Sequence, residues 1–307
     1  MRVAGRLLRS EPAMTSTVTT TAASGPGGLP ADEYRIAHYT IMPQRHYGRF
    51  LAAAAILAIL AAIARAFALG DIEWRYVGQF LTAPAIMHGL ANTILLAICA
   101  MVLGIVLGVV FAVMRLSRNP VLRVVAIGYV WLFRAAPALL QLLIWFNLAL
   151  IFPRIAFPGL FDVRTVDVMT PFVAGLLGLG IQQGAYTSEV VRAGLQSVDQ
   201  GQYEAAQAIG MTRLRMLRRI VMPQAMRVIV PPVGNEFIGM IKLTSLASVI
   251  QYSEMLHAAQ TIYYANSRVL ELLFVASIWY LAIVSLLSFG QSFVERYFGR
   301  GDRGGRR

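Results

Sequence analysis

One cysteine, Cys99, stands in a chain of 307 residues. No disulfide closes within it, and a thiol inside an apolar run is inert by default. Four histidines, His38, His46, His88 and His257, are scattered at no ligand spacing, so no metal site is expected. The chain has no Gly-x-x-x-x-Gly-Lys-Ser/Thr loop, which excludes nucleotide binding by a P-loop. Gly-x-Ser-x-Gly and His-Glu-x-x-His are missing too, and with them the usual serine-hydrolase and zinc-peptidase sites. Charge is also scarce: Asp, Glu, Lys and Arg make up 14% of the chain, against roughly 25% in soluble domains.

Apolar residues fill that space. They make up 57% of the sequence, and the mean hydropathy is +0.63. The composition is that of an integral membrane protein. The net charge of +12 does not point to nucleic acid, because membrane proteins concentrate Lys and Arg in their cytoplasmic loops.

Six apolar segments are expected near residues 50–69, 88–114, 124–150, 171–191, 228–250 and 271–292. Each is long enough at 1.5 Å per residue to cross about 30 Å of hydrocarbon. Asn119-Pro120 marks a turn. Phe133-Arg134-Ala135-Ala136-Pro137 should kink the third segment, and Pro231-Pro232 the fifth. Residues 1–49 read as a cytoplasmic tail, disordered to about residue 32, with Met14 and Met42 as further candidate starts. Residues 299–307 read as a basic tail. With the N-terminus inside, 20 of the 27 Lys and Arg fall in inner segments and four in outer loops. Both termini and the 192–227 loop are therefore expected to be cytoplasmic.

That loop carries the most distinctive stretch, residues 203–223. Asp199 can cap a first short helix, with Gln202 three residues on. Gly210 interrupts as a glycine past a helix end does. Thr212 can cap a second helix bearing Leu214, Leu217 and Val221 on one face, and Pro223 favours a stop or kink. The stretch resembles the EAA loop of the permease subunits of bacterial ABC importers. Glu204, Ala205, Ala206, Gly210, Ile220 and Pro223 match its pattern, with Met222 where leucine is usual.

Residues 85–298 further resemble the polar amino acid permease branch of that family. The shared motifs include Gly89-Leu90-Ala91-Asn92-Thr93, Arg115-Leu116-Ser117-Arg118-Asn119 and Ala185-Tyr186-Thr187-Ser188-Glu189-Val190-Val191-Arg192. Pro231-Pro232-Val233-Gly234-Asn235-Glu236-Phe237 and Lys242-Leu243-Thr244-Ser245-Leu246 complete them. Ala135-Ala136 and Leu243 depart from the usual Gly-Thr and acidic residues. The resemblance implies an all-α integral membrane protein, with a five-span permease core and one extra N-terminal transmembrane helix, in the bacterial inner membrane.

It also implies that Glu204, Ala205, Ala206, Gly210, Arg213, Leu214, Leu217, Ile220 and Pro223 couple the spans to a separate ATPase, which would bind the ATP and Mg. The expected partners are two such ATPase subunits, a second permease subunit, an extracytoplasmic amino-acid-binding protein and membrane lipid. Transport of polar or charged amino acids by alternating access follows, with an ion-gradient-driven secondary transporter as the alternative. Ionisable residues inside spans need partners or a wet cavity. Arg134 and Glu236 lie at similar depth and can pair or line the path. Gln182, Gln183, Glu189, Asn235, Lys242 and Thr244 are further candidates for the substrate path. Gly104, Gly108, Gly175, Gly178 and Gly180 are expected to permit close helix packing.

Overall fold

A computed structural model describes residues 47–70, 72–157 and 161–299. The expectations for the first 46 residues and for 300–307 lie outside it. The chain divides into two units, Met1–Arg65 and Ala66–Arg307. Most of α1 (Tyr47–Leu69) belongs to the first, and its 23 residues are long and apolar enough to cross a membrane.

The second unit is helical apart from one two-stranded antiparallel ribbon. A short α2 (Trp74–Phe80) precedes α3 (Pro84–Leu116), 33 residues long and opened by Pro84 at its first turn. Asn119 ends the connection and caps α4 (Pro120–Ala135), its Oδ1 accepting the Val121 N–H. Proline at the first helical position costs nothing, since that N–H would be unbonded anyway.

The helix does not merely kink at Pro137. It stops at Ala135, and α5 (Ala138–Phe146) leaves at 102° to α4. Pro137 has no N–H to donate and disfavours helical geometry at the residue before it. Ala136 accordingly sits at ψ 133°. The expected single crossing over 124–150 is therefore a broken pair. Strands β1 (Arg154–Phe157) and β2 (Phe161–Arg164) and a single turn α6 (Thr165–Val168) follow.

Helix α7 (Pro171–Gln196) is the most enclosed, packing against α3, α4, α5 and α10. Gln182, Gln183, Thr187, Ser188 and Glu189 leave it short of the apolarity expected of a crossing segment, and it is not among the four helices that meet that standard. A helix surrounded by protein has no need of a lipid-facing apolar surface. Its approach to α3 rests on glycine: a Cβ on Gly108 would lie 2.7 Å from Thr187 Cβ, and one on Gly104 2.6 Å from Gln183 Cγ.

After two short helices, α8 (Gln200–Ala208) and α9 (Arg213–Met216), a π-helical turn (Leu217–Val221) feeds directly into α10 (Met222–Leu243). The stop that Pro223 could impose does not occur, and α10 runs unbroken through Pro231-Pro232. Pro223 falls in the first turn of α10, where its missing N–H costs little, and Gln291 Nε2 of α12 (Val269–Phe298) donates to the Pro231 carbonyl at 2.8 Å. A 3-10 segment (Thr244–Ile250) and α11 (Met255–Asn266) complete the chain between α10 and α12.

Three clusters of buried side chains hold the unit together. Leu96, Leu142, Leu179, Met240 and Ile250 form the central one. Ile86, Met255, Leu272 and Val275 join α3, α11 and α12. The third joins the 192–227 loop to the long helices: Ala206, Met216 and Val221 pack with Ala112 of α3, Val191 of α7 and Ala225 and Ile229 of α10.

Candidate functional site: a docking loop and a polar cluster between helices

The loop is built from its caps. Asp199 Oδ1 accepts the Gly201 N–H at 2.8 Å and starts α8. At the other end Gly210 takes φ +74°, a conformation that glycine adopts without steric cost. The Gly210 N–H reaches the Gln207 carbonyl at 2.9 Å, and the Met211 N–H reaches that of Ala206 at 3.0 Å. This paired arrangement satisfies two carbonyls the helix end would otherwise orphan. Thr212 precedes α9 as expected, though its side chain makes no capping bond.

The expected apolar face divides in two. Leu214 is 66% exposed and Leu217 is also exposed, whereas Val221 is 0% exposed. Met216, just before the π turn, and Val221, its last residue, face into the protein, and the turn shifts the helical register before α10 begins. The outward apolar surface is instead Ile209, 76% exposed, with Leu214 and Leu217 beyond the glycine turn. Glu204, Ala205, Gly210, Arg213 and Pro223 are exposed, Ile220 is half-buried and Ala206 is buried. Thr212, Leu214, Arg215, Arg218 and Arg219 line a cavity of about 470 Å³ on this surface.

The second constellation lies between α7 and α10. Glu236 Oε2 accepts hydrogen bonds from Gln183 Nε2 at 2.7 Å and Thr187 Oγ1 at 2.9 Å. Gln183 and Thr187 occupy successive turns of α7 and present two donors to one carboxylate. Beside them, Gln182 Nε2 reaches the Ala136 carbonyl at the α4–α5 break, and Gln141 Nε2 donates to the carbonyls of Phe133 and Ala136. The Oε1 atoms of Gln141 and Gln182 are buried without a partner. The break thus frees backbone carbonyls, and two glutamines serve them.

Other candidates fall elsewhere. Arg134 forms no ion pair with Glu236; it is exposed, with its guanidinium carbon 5.1 Å from the centre of the Tyr186 ring. An Arg over an aromatic face is stabilised without a carboxylate. Glu189 is held in ion pairs with Arg115 and Arg192, both part-buried, which marks it as a structural link between α3 and α7. Asn235 Nδ2 donates to Glu295 of α12 at 3.0 Å. Lys242 is exposed, and Thr244 Oγ1 bonds the Ile241 carbonyl three residues back, as helical hydroxyls commonly do.

Glu254 went unremarked in the sequence. It is buried, caps α11 through the N–H groups of Leu256 and His257, and accepts the Tyr280 hydroxyl at 2.8 Å. The signal that marks it is a lone acidic residue just before the helical pattern 255–266, a position where side-chain acceptors recur.

The chain is similar to known proteins in sequence and in fold. A family profile described as the binding-protein-dependent transport system inner membrane component matches residues 100–300. The arginine transport system permease protein ArgU of Corynebacterium glutamicum is 39% identical over 280 residues, covering 90% of this chain and 87% of that protein. The L-cystine transport system permease protein TcyB of Bacillus subtilis is 39% identical over 230 residues, 75% of this chain and 92% of its own. Among solved structures, an amino acid ABC transporter crystallised with histidines is 31% identical, with a TM-score of 0.64 over 74% of this chain and 100% of that one. The MetNI methionine transporter, at 17% identity and a TM-score of 0.54, shares the fold. The profile covers the whole docking loop and most of the helices it packs on, and the relatives align along most of their length. The chain belongs to the binding-protein-dependent transport inner membrane components, the permease subunits of ABC importers, which are transport subunits and not enzymes.

Proposed function

We propose that this permease carries polar or charged amino acids across the bacterial cytoplasmic membrane, with both termini and the 192–227 loop on the cytoplasmic side. It works with two ATPase subunits, a second permease subunit and an extracytoplasmic binding protein. The observation that carries the reading is the junction of the docking loop with the long helices. Ala206, Met216 and Val221 are packed on α3, α7 and α10, and α7 and α10 also hold Glu236, Gln183 and Thr187. A displacement of the loop by an ATPase is therefore delivered to the helices around the half-buried Glu236 carboxylate. Interiors are close-packed and transmit such strain instead of absorbing it.

Ile209, Leu214 and Leu217 offer the ATPase an apolar anchor, and Arg213, Arg215, Arg218 and Arg219 a basic rim. Closure of the ATPase pair draws two such loops together and opens the path outward, and hydrolysis resets it. Glu236, with Gln183 and Thr187, lies on that path, where a carboxylate and neighbouring amides suit an ammonium and a carboxylate in one small ligand. The names of the arginine and L-cystine relatives are consistent with such cargo. No observation favours an ion-gradient-driven mechanism. The test is a binding screen of the cognate binding protein against the amino acids. Tight binding of one polar or charged amino acid is expected, and binding of sugars or peptides alone would contradict the reading.

A further inference from the structure

At the end of α10 remote from the docking loop, the chain runs through the 3-10 segment to Gln251, held in the left-handed region at φ 62°, and turns into α11. Helix α11 has two faces. Met255, Ala258 and Ala259 are buried against α3 and α12. His257, Gln260, Thr261 and Tyr264, at the spacing of one helical stripe, look the other way. With Ser248, Val249 and Gln251 they line a cavity of about 410 Å³, within the range of small-ligand sites. In a chain that is 57% apolar, this concave surface bears two carboxamides, two aliphatic hydroxyls, a phenol and an imidazole.

The walls are held in place. Buried Glu254 fixes the first turn of α11 through the Leu256 and His257 N–H groups and is itself held by Tyr280. Gln251 Oε1 lies 3.3 Å from His257 Nε2. The Thr261 and Ser248 hydroxyls already donate, to the carbonyls of His257 and Ser245. Their oxygens therefore remain as acceptors, while the two carboxamides, each with two N–H groups, can donate; the Tyr264 hydroxyl and the Gln260 side chain each also share a hydrogen bond with Tyr263, which helps hold them in place. Tyr264 is 77% exposed at the rim. Acceptors for an ammonium and donors for a carboxylate thus line one cavity, and no wall residue carries a fixed charge that would select one side chain.

We propose that this cavity is an outer binding site for the backbone ammonium and carboxylate of a free amino acid. It would catch cargo released by the binding protein before the cargo passes to the Glu236 cluster. The proposal rests on the amino acid reading and on the outward placement of this end of α10. The test uses the whole importer in proteoliposomes, with its ATPase and loaded binding protein, measuring uptake and ATP hydrolysis together. Gln260→Leu, and separately Tyr264→Phe at the exposed rim, are expected to lower amino acid uptake per ATP hydrolysed about tenfold, the effect of one lost hydrogen bond to a charged ligand. ATP hydrolysis stimulated by the binding protein should stay within about twofold of wild type, since the docking loop is untouched. Uptake and hydrolysis falling together in both variants would make this face a contact for the binding protein and overturn the proposal. Unchanged uptake per ATP in both would overturn it too. A wild-type importer that takes up no amino acid at all would instead defeat the functional reading on which the proposal stands.

Discussion

Gln183 of α7 donates a 2.7 Å hydrogen bond to the Glu236 carboxylate of α10, across a gap that Thr187 also bridges at 2.9 Å. The bond joins two helices that both end at the docking loop. If the carboxylate is a transport group, its donors set its position and charge. Glu236→Gln is expected to abolish uptake of the native cargo while leaving ATPase co-purification intact. Gln183→Leu removes one donor from a half-buried carboxylate and should cut uptake about tenfold. Paired uptake and pull-down assays check both. Full uptake in Glu236→Gln would remove the carboxylate from the path.

Gly210 is at φ +74° between α8 and α9, and proline there would force φ to about −65°. Gly210→Pro is expected to abolish transport without preventing membrane insertion. Glu204→Lys, on the exposed face of α8, is expected to do the same by reversing charge at the docking surface. Uptake and membrane-fraction blots separate the two effects. Normal uptake in both variants would remove the loop from the mechanism.

The α3–α7 interface predicts a stability defect. Gly108→Leu places a side chain where even a Cβ would stand 2.7 Å from Thr187 Cβ and 3.1 Å from the Ser188 nitrogen. Overpacking of this kind costs about 1–3 kcal/mol or more. The thermal unfolding midpoint of the detergent-solubilised protein should fall, and a midpoint equal to wild type would contradict the packing.

Glu189 bridges Arg115 of α3 and Arg192 of α7. Glu189→Ala leaves two part-buried guanidiniums without their shared acceptor, and a loss of about 1–3 kcal/mol is expected. Because the role is structural, the protein should lose thermal stability while its KM for uptake stays the same. A changed KM with unchanged stability would return Glu189 to the substrate path.

Much of this was legible in the sequence where local chemistry decides the outcome. Asp199, Gly210 and Asn119-Pro120 each specify a cap or turn through their own local chemistry and do so here, although Asp199 caps through the Gly201 N–H and not in a box with Gln202. What was illegible depends on neighbours far along the chain. Val221 shares a helical spacing with Leu214, but a π turn and the packing of Ala112 and Ile229 turn it inward. Similar depth puts Arg134 and Glu236 within electrostatic reach of each other, yet depth does not fix whether their side chains meet. Arg134 lies by Tyr186, and Glu236 takes its donors from α7. Pro231-Pro232 reads as a kink in isolation, yet the helix runs on through both, and Gln291, 60 residues away, donates to the Pro231 carbonyl.

The central claim is that ATP hydrolysis on another chain, acting through residues 204–223, drives amino acid movement past Glu236. Its most direct test is uptake into proteoliposomes that hold this permease with its partner permease and ATPases, with the loaded binding protein supplied outside. The account predicts uptake that requires ATP, persists when ionophores collapse all ion gradients, and is lost in Gly210→Pro. Uptake that survives without ATP and disappears with the ion gradient would contradict it.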